Sequence, residues 1–136
     1  MGVIKKHETI IDEKPYSCET FPATEGLIIL PKLISLLGED VANLIFTVDD
    51  EQIGGLLENP KVLAAMMVKI SERAAENNGL LVLKDLLKYT RCSAVRVGDA
   101  TLEASVWERF DSHFAGDYLH LFKVVSWVAR ASFGNP

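Results

Sequence analysis

Histidine and carboxylate side chains offer the first place to look for chemistry in this chain. His113, Asp117 and His120 are spaced i, i+4, i+7, which on an unbroken helix would put three potential metal ligands on one face. Gly116 falls inside that span and marks a helix boundary, and neither another His nor a Cys pair lies close by in sequence. The spacing therefore reads as one histidine near a helix end and another on a solvated face, with no metal site. Cys18 and Cys92 stand far apart and carry no local nucleophile signature, and Gly-x-Ser-x-Gly is absent. No Gly-x-x-x-x-Gly-Lys-Ser/Thr or Gly-x-Gly-x-x-Gly loop is written here, so no phosphate cradle is expected. Gly54-Gly55 reads as a loose helix end. Asp49-Asp50-Glu51 reads as a solvated helix start, because the ligand spacing of an EF-hand is missing. Met66-Met67 reads as partly core. No catalytic residue and no cofactor is expected.

The composition narrows the setting. A chain of 136 residues is read as one domain spanning 1–136, and its 49% hydrophobic content excludes a disordered tail. No apolar run reaches the roughly 18 residues of a membrane span, and the start is too short in apolar residues for a signal peptide. A cytosolic protein with reduced, packed cysteines is expected. The net charge is -5 and the isoelectric point about 5.2. Positive charges are scattered, densest at Lys5-Lys6-His7, so neither nucleic acid nor a membrane is an expected partner.

The elements that would position these residues follow from pattern. Residues 1–22 read as a β-hairpin: Thr9-Ile10-Ile11, a turn at Asp12-Glu13-Lys14-Pro15, then Tyr16 to Phe21. A helical region over 23–91 follows. Its first helix is capped by Thr24, ends at Gly38, and should kink or break at Pro31. Further helices are expected over Glu39 to Thr47 (Val41, Leu44 and Ile45 inward), Asp49 to Leu57, from Asn59-Pro60 to Asn77-Asn78-Gly79, and through Leu80, Leu83 and Leu87. A short hairpin over 92–104 turns at Gly98-Asp99. The region 105–134 holds the last helices, one opened by a capping box at Ser105-Val106-Trp107-Glu108 and one running from Asp117 to Phe133. The expected fold is α+β, predominantly α, with five to seven helices and one or two short β-hairpins forming a small sheet.

Two of these helices carry more apolar surface than one stripe requires. In the last, Leu119, Val124, Trp127 and Ala131 extend the arc formed by Tyr118, Leu121, Phe122, Val125 and Val128. The Leu27 to Leu37 helix is similar. A small domain has difficulty enclosing two such helices, so at least one should face another chain: a copy of itself or a client.

The stretch Phe21-Pro22-Ala23-Thr24-Glu25-Gly26-Leu27, with the Leu/Pro-rich helix to Gly38, resembles the start of tail assembly chaperones from long-tailed bacteriophages and prophages. The segment Phe110-Asp111-Ser112-His113-Phe114-Ala115-Gly116, with Trp127 and the closing Phe133-Gly134, is similar to that family's end. Ser132 departs from the Asn expected there, and an acidic or aromatic tail is lacking. The resemblance implies a non-catalytic protein that binds the tape measure protein, keeps it soluble and helps recruit the tail tube protein; the excess apolar surface adds the expectation of a homo-oligomer. It implies action in the host bacterial cytoplasm and absence from the mature virion; the chain would be the short form of a frameshifted pair. On this reading Phe110, Phe114, Leu119, Phe122, Trp127 and Phe133 meet the client. The competing readings are a structural tail component such as a terminator or connector, a small adaptor or inhibitor, and a metal-dependent enzyme using His113, Asp117 and His120.

Overall fold

The computed structural model describes residues 5–133 except 48, 78 and 98. The expected turn at Gly98-Asp99, the helix end at Asn77-Asn78-Gly79 and the closing Phe133-Gly134 each include a residue outside that set, as does the chain start.

Lys6–Ile11 (β1) and Lys14–Glu19 (β2) form the first hairpin. Its two central turn residues, Asp12 and Glu13, have φ of 50° and 69°. Positive φ at both positions is what a two-residue turn needs to follow the right-handed twist of its strands. Pro15 is tolerated in β2 because the β2–β3 ladder begins only at Tyr16, so its missing N–H leaves no bond unmade there.

Thr90–Val97 (β3) and Ala100–Ser105 (β4) form the second hairpin. The expectation of one or two short hairpins is overturned here. Tyr16, Ser17 and Cys18 pair with Cys92, Arg91 and Thr90, which joins the hairpins into one four-stranded antiparallel sheet, β1-β2-β3-β4. β3 also starts earlier, and β4 ends later, than local pattern suggests. The cause is non-local: pairing with β2 extends β3 back to Thr90, and no short-range signal encodes that. A register shift between Cys92 and Val95 lets residues of odd spacing both face the core.

The helices are Ala23–Leu37 (α1), Glu39–Thr47 (α2), Asp50–Glu58 (α3), Pro60–Asn77 (α4), Gly79–Leu86 (α5), Phe110–His113 (α6) and Tyr118–Phe133 (α7). Asp49 and Gln52 form a complete capping box on α3, and Asn59 Oδ1 accepts from the Lys61 amide at 3.0 Å to cap α4. Several local expectations are corrected. Pro22, not Thr24, occupies the N-cap of α1. α1 runs unbroken through Pro31, since both Pro31 and Leu27, the residue whose carbonyl loses its partner, lie on the water-facing side. On α2, Ala42 and Ile45 point inward while Leu44 is exposed. Ser105 closes β4 instead of starting a helix. Its hydroxyl accepts from the Glu108 amide at 3.4 Å, but within a turn that leads to α6.

The layers then assemble around α7. Leu121, Phe122, Val124, Val125, Val128 and Ala129 are buried, and the helix packs against α2, α3, α5 and β1. Its second apolar side is therefore covered by its own chain. α1 differs: Ile29, Leu33, Leu36 and Leu37 face the core, while Leu27, Ile28 and Ile34 face water.

Replacing Pro31 with Ala should raise stability by about 1–2 kcal/mol, because the regained helical bond outweighs the greater freedom of the unfolded chain. The urea midpoint of Pro31→Ala measures this, and an unchanged or lower midpoint would contradict it.

Candidate functional site

Side chains distant in sequence meet beneath the first hairpin. Tyr16 Oη lies 2.5 Å from His120 Nε2 and 2.7 Å from His113 Nε2. His120 Nδ1 lies 2.9 Å from Asp12 Oδ2, and Lys123 Nζ donates to Asp12 Oδ1 at 3.0 Å and lies 3.6 Å from Glu58. The Asp12 carboxylate accepts from His120 Nδ1–H, and the Tyr16 hydroxyl bridges the Nε2 atoms of the two histidines.

The electrostatics agree with this arrangement. The His120 hydrogen bond, helped by Lys123 and opposed by burial, holds the Asp12 carboxyl below its ordinary value of 3.8. Burial pushes the Tyr16 hydroxyl well above its usual range, with Cys92 adding to it. Burial, with Lys14 and His120 nearby, lowers His113 to about 4. Tyr16 is 2% exposed and His120 1%, so a substrate has no access to the central groups. The cluster is a fastening that ties the hairpin to α6, α7 and α3.

This corrects the reading of the second histidine: His120 is enclosed, not on a solvated face. Asp117 does not join the histidines, because its Oδ1 accepts from the His120 amide at 3.2 Å and caps α7 beyond Gly116, whose φ is 72°. Among the described residues no group of three or more His, Cys, Asp or Glu is placed to hold a metal. Asp12, Tyr16 and Lys123 escaped sequence reading, since nothing local links a hairpin turn to a helix more than a hundred positions away.

The six aromatic and leucine candidates are spread between core and surface. Phe114 and Phe122 are buried, while Phe110, Leu119, Trp127 and Phe133 are partly buried against the core. Phe110 meets Phe114 edge-on at 5.5 Å, and Phe133 stacks on Phe21 at 5.7 Å. Phe133 thus lies beneath the start of α1, where Gly26 has room for it.

Exposed apolar side chains occur on the sheet (Ile10, Leu102), α4 (Met67, Val68) and the start of α7 (Tyr118), and three lie together on α1. Leu27 is 77% exposed, Ile28 51% and Ile34 37%. At 100° per residue they share one face with Thr24, Pro31 and Ser35, an arc without a single charge. Beside Ile28 opens a groove of about 250 Å³ between α1, α5 and the turn after β4, walled by Phe21, Ile29 and Trp107. Its charged rim is internally matched. Lys88 Nζ donates to Glu25 at 2.9 Å, Tyr89 O–H also donates to Glu25, and Trp107 Nε1–H donates to Asp85 at 3.3 Å. Lys84 sits over the Trp107 ring. The Glu25–Lys88 pair sets the start of α1 beside the turn after α5, and Leu81 on α5 is also exposed. Trp107 was missed as a wall because the capping-box pattern assigned it to a helix.

A protein that encloses its polar cluster and presents a charge-free apolar helix face to water has the surface of a polypeptide binder. Residues 12–136 match the family model described as phage tail assembly chaperone protein, TAC, and the chain belongs to that family. No curated protein and no solved structure matches it. Among the described residues no helix is long and apolar enough to cross a membrane.

The fastening has a pH signature. His113 in the folded protein titrates at about 4, below its ordinary 6.5, so the unfolded chain takes up the proton first as pH falls. Its contribution is complete above about pH 6.5 and is lost toward pH 4, a loss of roughly 2 kcal/mol after allowing for its partial exposure. Asp12 adds a further loss below 3.8. Urea titrations between pH 7 and 4 should show this slope, and His113→Gln, which keeps an N–H donor for Tyr16, should flatten it. An equal slope in the variant would remove His113 as its source.

Proposed function

We propose that this tail assembly chaperone binds the tape measure protein and keeps it soluble during tail assembly, without catalysis. The observation that carries the reading is the charge-free face of α1, where Leu27 and Ile28 remain open to water while α7 is enclosed. A long client with amphipathic helices needs a surface that shields its apolar stripe until assembly, and an apolar helix face beside a shallow groove supplies it. Leu27, Ile28 and Ile34 make first contact, with Trp107 and Phe21 as groove walls. Among the six residues named from sequence, Phe133 acts from below by stacking on Phe21. Family membership supports a chaperone role over a terminator or connector. The protein acts in the host bacterial cytoplasm and leaves before the particle is complete.

Co-expression with the tape measure protein should raise that protein's soluble yield. Leu27→Glu with Ile28→Glu should reduce the yield several-fold while changing the chaperone's own stability by no more than about 0.5 kcal/mol, since both side chains are exposed. A yield indifferent to the double variant would remove α1 as the binding face. Mass spectrometry of purified mature particles should find none of this chain, and a stoichiometric amount would favour a structural tail component.

A further inference from the structure

The charge beside the apolar strip says what kind of helix it takes. Residues 33–60 contain Glu39, Asp40, Asp49, Asp50, Glu51 and Glu58 and no Lys, Arg or His. That is six negative charges in a stretch whose parent chain nets only -5, so the remainder is close to neutral. The α2 part of the stretch adjoins α1, and α3 follows α2 in the chain while packing on α4 and α7. α1 ends at Leu37, Gly38 is the only residue before α2, and the two helices pack together. The apolar face that starts at Leu27 runs through Pro31 to Ile34, and the exposed Glu39, the first residue of α2, follows it in the chain. Glu39, Asp49, Glu51 and Glu58 are exposed. Within the segment Lys123 of α7 reaches Glu58, at 3.6 Å, while Lys32, exposed one turn after Ile28 on α1, and Lys61 flank it in the chain. Among the described residues no cation lies within ion-pair distance of Glu39 or Glu51.

We infer that the strip on α1 receives a cationic amphipathic helix, its apolar side on Leu27, Ile28 and Ile34 and its Lys or Arg residues against the acidic α2–α3 end. This rests on the client-binding reading of α1 and adds the client's charge and direction to it. The apolar part holds the helix. The acidic end speeds encounter and orients it, and it disfavours acidic helices that the apolar strip alone would accept equally well.

Two synthetic helical peptides with identical leucine faces test this, one with Lys and one with Glu along the polar face, followed by fluorescence anisotropy. At low salt the Lys peptide should bind at least about tenfold more tightly, and most of the difference should vanish near 0.5 M salt, where the screening length is only a few ångströms. Glu39→Lys with Glu51→Lys should abolish the preference, and Leu27→Glu with Ile28→Glu should weaken both peptides, with circular dichroism confirming that each variant is folded. Equal binding of the two peptides, or a preference that survives the Glu39/Glu51 reversal, overturns the charge inference while leaving the α1 surface in place. Binding insensitive to Leu27→Glu and Ile28→Glu overturns the surface reading itself. A self-associated form in sedimentation, dissolved by Leu27→Glu and not displaced by either peptide, assigns the strip to a second copy and overturns both.

Discussion

A helix that is apolar around most of its circumference has to be surrounded, and α7 sets that requirement for the whole chain. Leu121, Phe122, Val124, Val125 and Val128 each contribute about 1.5–3 kcal/mol when removed from water, provided that something covers every side. α2, α3 and α5 and the β1 strand do the covering. The four-stranded sheet belongs to the same solution. By joining the two hairpins it turns Tyr16, Cys18, Cys92 and Val95 inward together, as a surface neither hairpin could make alone.

The polar side chains gathered beneath the first hairpin are satisfied by one another. His120 lies on the buried side of α7, and an unpaired imidazole there would destabilise the fold. Tyr16 from β2 and Asp12 from the hairpin turn supply its two partners. The same Asp12 carboxylate holds a turn residue in the left-handed region, where a non-glycine residue is disfavoured, so the bonds to His120 and Lys123 also offset backbone strain. A chain of groups that resembles catalytic machinery in its residue types is, by its burial, a clamp.

Because α7 and the sheet take up the interior, α1 can bury only one side. Among the described residues nothing covers the outer face at Leu27, Ile28 and Ile34, and its lack of charge is the opposite of what an ordinary solvated helix shows. The chain belongs to the tail assembly chaperone family, and the proposed function uses that uncovered face. On the proposed reading the division of labour is spatial: polar chemistry inside for fastening, apolar surface outside for binding, and acidity for choice of partner.

Local rules carried much of this protein. Capping at Asp49 and Asn59, the breaks at Gly38 and Gly116, the apolar faces of α1 and α7, and the motifs of Phe21 to Leu27 and Phe110 to Gly116 are short-range features, and they were readable along the chain. Pairing of β2 with β3, the loss of the Ser105 helix to a strand end, and the meeting of Asp12, Tyr16, His113, His120 and Lys123 were not. Each depends on which distant element arrives alongside, and residue spacing holds no record of that. The same limit applied to the two apolar helices. Their composition established that both had excess apolar surface, but only packing decided that α7 would be enclosed and α1 left facing water, because the volume inside a small fold admits one such helix at its centre.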